Sequence, residues 1–317
     1  MHKPSLPIIL ILFFIFQFCQ PKQNINYDKN IAFKMFSRAV EQYHAVNYED
    51  ALDYINQAIK ANGRIAGYYE LKGDIQTKQG KLKAAIVDYD KAKSLRSFYP
   101  EVFLKSAKNY FRLQEYDHAI RNYKKAFVQE PQQISILLNL AECNLQLTEL
   151  NLAMNILKEY IMHCEKQSKL AERFYYVLFA KIKFEQELFE DVISSMVLAR
   201  QNGPLNRNEG LFYVRALIQE NELENAYRLA TIDLKNELKA AEIHFIRGLY
   251  YYHLNNFKDA KNQLELSIAN NTIVFEAYET LSNIYKQEND FDRAQEVLKQ
   301  GEKYRSFRFI NYGLSYK

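Results

Sequence analysis

Lys181 and Arg215 stand 34 residues apart, at matching points of a repeated pattern. On neighbouring packed helices, ~8 to 10 Å apart, two such cations could hold one carboxylate between them. Lys108 occupies the same point two repeats earlier. This is recognition chemistry, and the residues that make and break bonds lack companions. His244 and His253 are nine residues apart, on opposite faces of a helix, so they cannot share a metal. His163 adjoins Cys164 with no second pair at zinc spacing, and the chain has neither a glycine-rich phosphate loop nor a zinc-protease helix motif. No metal, no cofactor, no small-molecule substrate and no enzymatic activity are expected. Cys143 and Cys164 fall out of register by ~10 Å in an antiparallel helix pair, beyond disulfide reach, and Cys143 reads as a small core residue.

The elements that must position these side chains follow from a period. Ala51, Ala85, Ala119 and Ala153 recur every 34 residues, and after one offset of 39 the step resumes at Val192, Ala226, Ala260 and Ala294. Counting repeats from Ala32 makes these the twentieth position. The eighth is then Ala39, Gly73, Ala107, Ala141, Ala180, Val214, Gly248 and Ser282, and the seventeenth is Tyr48, Leu82, Tyr116, Leu150, Phe189, Leu223, Phe257 and Phe291. Small residues at two fixed points, with large apolar ones around them, are what two closely crossing antiparallel helices require. Tyr116, Ala119, Ile120, Tyr123 and Phe127 form one helical stripe, and Pro131 and Pro204 end a helix at the same late position of the third and fifth repeats. The sixth repeat departs most, with Val214 at the small position, Gly210 at a usually large one and Asp233 near the end of its second helix.

The pattern resembles the tetratricopeptide repeat from about residue 32 to 308. The resemblance implies an all-α fold, an α–α superhelical solenoid of about eight helix hairpins. Four repeats would span 32–167, an insertion 168–172, and four more 173–308. In such arrays the first helices line a groove, with the fifth, ninth and twelfth positions pointing inward. Six of eight residues at the fifth position are apolar, as are six of eight at the twelfth. Exposed, they would form a docking surface for a protein or peptide; packed, they would join neighbouring helices. Phe111, Phe184, Phe245 and Tyr252 are the expected anchors, with Lys108, Lys181 and Arg215 fixing orientation. Phe36 and Val40 stand where the relatives that clamp a chaperone's C-terminal carboxylate carry lysine and asparagine, which argues against that specific function.

The first 18 residues join a basic start at Lys3 to an apolar run from Ile8 to Phe16, too short for the ~20 residues of a spanning helix and suited to an export signal. Cys19 after this run resembles the lipid-bearing cysteine of bacterial lipoproteins, although Phe16, Gln17 and Phe18 replace the small residues of that signal. A lipid anchor on Cys19 would tether the protein to a membrane of the cell envelope through a polar linker at 19–31, while a retained signal anchor and a cytoplasmic location stay open. The aromatic, basic end, with residues 309–317 last, reads as a cap over the open face of the last repeat.

Lys+Arg 42 against Asp+Glu 38, with signs interspersed, gives a formal net charge of +4 and no basic face for nucleic acid. The expected function is a protein-interaction scaffold of the envelope. A structural subunit of an outer-membrane or pilus assembly machine and a cytosolic adaptor are the other readings.

Overall fold

The computed structural model describes residues 25–307, with side chains from residue 28 onward. The described residues form sixteen α-helices and no strand, in two compact units that divide between Gln132 and Gln133. The first unit holds three hairpins: α1 (Ile25–His44) with α2 (Tyr48–Ala61), α3 (Ala66–Lys78) with α4 (Leu82–Leu95), and α5 (Pro100–Arg112) with α6 (Tyr116–Gln129). The second holds five: α7 (Ser135–Gln146) with α8 (Leu150–Lys166), α9 (Arg173–Glu185) with α10 (Phe189–Gln201), α11 (Arg207–Gln219) with α12 (Leu223–Arg228), α13 (Ala240–His253) with α14 (Phe257–Ala269), and α15 (Phe275–Gln287) with α16 (Phe291–Gly301).

Every residue at the eighth and twentieth positions is buried, because it lies where the two backbones of a hairpin cross. At Gly73 the approach is so close that a Cβ would lie 2.5 Å from Cε1 of Tyr89, and at Gly248 it would lie 2.7 Å from Cδ2 of Leu264. Large side chains lock around these points. Tyr89 and Tyr160, each 1% exposed, contribute ~1.5–3 kcal/mol apiece by burial.

The seventeenth position turns out to be the first residue of every second helix. What places it there is backbone geometry two residues earlier. Val46, Gly80, Gln114, Thr148, Glu187, Asn221, Asn255 and Asn289 all sit at φ between 56° and 76°. The next N–H in each case reaches back to the carbonyl five residues before it, from Asn47 to Gln42 at 2.9 Å through to Asp290 to Tyr285 at 2.9 Å. This is the Schellman closure, which satisfies carbonyls at the end of the first helix and aims the chain into the second.

The extra residues of the fourth hairpin lengthen α8 to 17 residues and form a loop, where the Glu172 N–H donates to the Tyr160 hydroxyl at 3.0 Å. In the sixth hairpin α12 is only six residues long and continues as a π-helical turn, Leu229–Asp233. The departures noted in its sequence fit together. A Cβ on Gly210 would lie 2.4 Å from Cδ1 of Leu234, so Leu234 fills the space that the usual large residue would take, and Asp233 is turned out to pair with Arg200 at 2.8 Å.

α1 begins at Ile25, so residues 25–31, read above as linker, are helical. The proposed signal, Cys19 and residues 309–317 lie outside the described residues. At the described C-terminal end the Phe275 N–H donates to the Phe307 carbonyl at 3.0 Å and the Tyr304 ring lies 5.8 Å from that of Tyr278.

Candidate functional site

The groove residues expected from the sequence divide by burial. Phe184, Phe245 and Arg215 are closed off: Phe245 is 0% exposed, Phe184 5% and Arg215 2%. Phe184 packs edge-on against Phe189 and at 4.8 Å from the ring of Phe212. The Arg215 guanidinium lies over both Phe184 and Phe212, and its Nε donates to the Leu211 carbonyl at 3.2 Å. Lys181 and Arg215 therefore do not form a surface clamp. A charge normally stays in water, but here two rings cover it and a helix carbonyl takes its proton donor. Lys181 faces Glu142 instead, whose carboxyl is raised by burial and partly held down by that ammonium.

The others stay accessible. Lys108 is exposed and Phe111 half-buried on α5, and Tyr252 is half-buried on α13, its ring 5.7 Å from that of Phe257. Phe111 packs edge-on against Tyr116 at 5.4 Å.

Around Lys108 the first unit builds more than the sequence suggested. α1, α3, α4 and α5 enclose a pocket of about 240 Å³ whose walls include Tyr43, Tyr89 and Asn109. Its floor is a closed network. The Tyr89 hydroxyl donates to Asp74 at 2.7 Å, the Lys105 ammonium donates to the other oxygen of Asp74 at 2.6 Å and to Glu70 at 2.7 Å, and Tyr99 donates to Glu70. The Asn109 amide donates to Thr77 at 2.7 Å, and Thr77 in turn pairs with Tyr89 at 3.2 Å. Burial first, and then the Asp74 charge, push the Tyr89 hydroxyl far above its usual range, so it remains a donor. Burial alone would lower Lys105, but the Asp74 and Glu70 carboxylates outweigh it and hold that ammonium above its ordinary value.

The pocket's rim is different. Lys78, Lys108 and Arg112 line it, all three exposed, and none has an ion-pair partner among the described residues. Of the three, Lys108 stood out in the sequence, at the ninth position. The thirteenth positions, Lys78 and Arg112, carried a readable signal too: each falls one turn past the ninth position, on the same face.

Residues 36–100 and 275–306 match models of the tetratricopeptide repeat. The Hsp70-Hsp90 organizing protein of Triticum aestivum is 24% identical over 148 residues, 47% of this chain and 25% of that protein. The chain thus spans about a quarter of the length of the curated relatives it matches. Among solved structures, a tetratricopeptide repeat protein from Parabacteroides merdae superposes with a TM-score of 0.58 at 15% identity, over 80% of this chain and 99% of that one. The C-terminal part of a repeat-containing protein from Cytophaga hutchinsonii gives 0.60 at 14% identity, over 78% and 99%. These likenesses agree with the hairpin stacking and establish the fold.

Proposed function

Taking as premise a chain built of tetratricopeptide repeats, we propose that it is a non-catalytic scaffold of the cell envelope, tethered through Cys19, that holds a segment of a partner protein on its first helices. The observation that carries the binding part is selective accessibility. Phe184, Phe245 and Arg215 are sealed into their own unit, while Phe111, Tyr252, Lys108 and Lys181 keep open surface on first helices of the two units. Half-buried aromatic side chains, with Lys108 unneutralised on the same helix as Phe111, give a partner apolar area to cover and charge to align with. The envelope part rests on the N-terminal sequence: Lys3, the apolar run from Ile8 to Phe16, and Cys19 immediately beyond Phe18.

Intact mass spectrometry of the membrane-extracted protein tests the tether. The expected species begins at Cys19 and carries acyl mass; a chain that retains Met1, or an unmodified one starting later, overturns it. Binding is tested by placing a photo-crosslinking residue at Phe111 or Tyr252 in cells. A discrete crosslinked product from these positions, absent from a control at Val128 on α6, is expected. Equal products from all three would remove the docking surface.

A further inference from the structure

The pocket of the first unit has a charge imbalance that its own network does not resolve. On its floor, Asp74 pairs with the single cation Lys105, which also holds Glu70 outside the lining, and the hydrogen bonds of this network are returned within the protein. On its rim, Lys78, Lys108 and Arg112 add three positive charges, none of them in an ion pair among the described residues. Tyr43, half-buried, lines the same pocket. Three like charges gathered at one opening repel one another, and an anionic ligand relieves that repulsion.

The spacing says what kind of anion. Lys108 and Arg112 are four residues apart on α5, ~6 Å along the helix axis. Alternate side chains of an extended chain are ~6.6 Å apart on one side. Carboxylates on alternate residues of an extended segment would thus meet both cations in turn. Asp74 disfavours a compact dianion such as phosphate. Its fixed charge at the floor would repel a group that entered fully, whereas carboxylates spread along a peptide stay at the rim.

We propose that this pocket binds an extended acidic segment of a protein partner, with alternate carboxylates on Lys108 and Arg112, a further acidic group on Lys78, and one side chain inserted beside Tyr43. The proposal rests on the scaffold reading above and gives the partner's chemistry. It uses none of the positions of Phe36 and Val40, and it replaces Lys181 and Arg215 as the place where carboxylates are read.

The test is selection of a random dodecapeptide phage library on the full chain, followed by fluorescence anisotropy with the enriched peptides. The expected winners carry Asp or Glu at alternate positions, and their affinity falls about tenfold in the variant Lys108→Glu with Arg112→Glu, and falls less with Lys108→Gln and Arg112→Gln. All four changes are at exposed sites, and thermal unfolding checks that each variant is folded. Enriched peptides without acidic residues, or acidic ones whose affinity the charge reversal leaves unchanged, overturn the pocket assignment while keeping the scaffold. Displacement of a bound peptide by millimolar inorganic phosphate, but not by chloride at equal ionic strength, reassigns the site to phosphate and also overturns it. Failure to enrich any peptide overturns both readings.

Discussion

Replacing Val46 by glycine is expected to stabilise the first unit, although it deletes a hydrophobic side chain. Val46 closes the Schellman turn between α1 and α2 at φ 65°, a region that costs an L-residue ~1–2 kcal/mol and suits a β-branched one least. Glycine removes that cost but adds ~0.5–1 kcal/mol of chain entropy to the unfolded state. Val46 is 64% exposed, so little packing is lost. The net gain comes to about 0.5–1 kcal/mol. The second hairpin supplies the reverse experiment, because Gly80 holds the same position at φ 76° and a Cβ there meets no atom within 4 Å. Gly80→Ala should therefore lose about 0.5–1 kcal/mol through the backbone alone. Asn221→Gly should change little, since asparagine tolerates this region. Stacked hairpins can open locally, so native-state hydrogen exchange at the Asn47 and Lys81 amides, which make the closing bonds, is the direct assay, with urea unfolding beside it. If Val46→Gly slows neither exchange nor unfolding and Gly80→Ala is silent, the turn backbone is not what holds the hairpins in phase.

Gly73→Ala should cost ~1–3 kcal/mol, because Tyr89 would have to leave its bonds to Asp74 and Thr77, whereas Gly67→Ala in the same helix meets nothing within 4 Å and should gain up to about 1 kcal/mol; differential scanning calorimetry compares the two. Burial raises the Glu142 carboxyl in the folded state, with Lys181 partly opposing. A raised folded value means that its contribution is intact below the ordinary range and lost as pH climbs through the raised one. Glu142→Gln should thus raise the thermal midpoint at pH 7 and leave it unchanged below about pH 4; an equal shift at both would show a packing effect instead.

The hairpins were legible because crossing backbones favour small residues, and sixteen recurring positions of which fourteen are Ala, Gly or Ser admit few other folds. The turns were not, since Val, Gly, Gln, Thr, Glu and Asn all occupy the left-handed position and hydrogen bonds of the main chain select it. Phe184 and Phe245 misled for a different reason: one apolar side chain on a first helix can seal two helices together or wait for a partner, and the spacing is the same. Arg215 was expected to face the groove beside Lys181 because charge usually stays in water, and the rings of Phe184 and Phe212 show it covered instead. The pocket rim was only partly legible because its cations come from two helices, and the repeat pattern that marks Lys108 does not bring Lys78 to it.

The π-helical turn of the sixth hairpin makes that repeat a bespoke part in an otherwise modular chain. Elsewhere the same two small positions and the same turn recur, so one hairpin could be exchanged for a consensus copy with local repair. Leu234 needs the absent Cβ of Gly210, and the turn that delivers Leu234 also delivers Asp233 to Arg200 of the preceding hairpin. A transplanted consensus repeat would bring a bulky residue where Gly210 stands and an alanine where Asp233 reaches back. Recombination across this point must carry α10 through Leu234 together, which sets a minimum block for any engineered shortening or extension of the array.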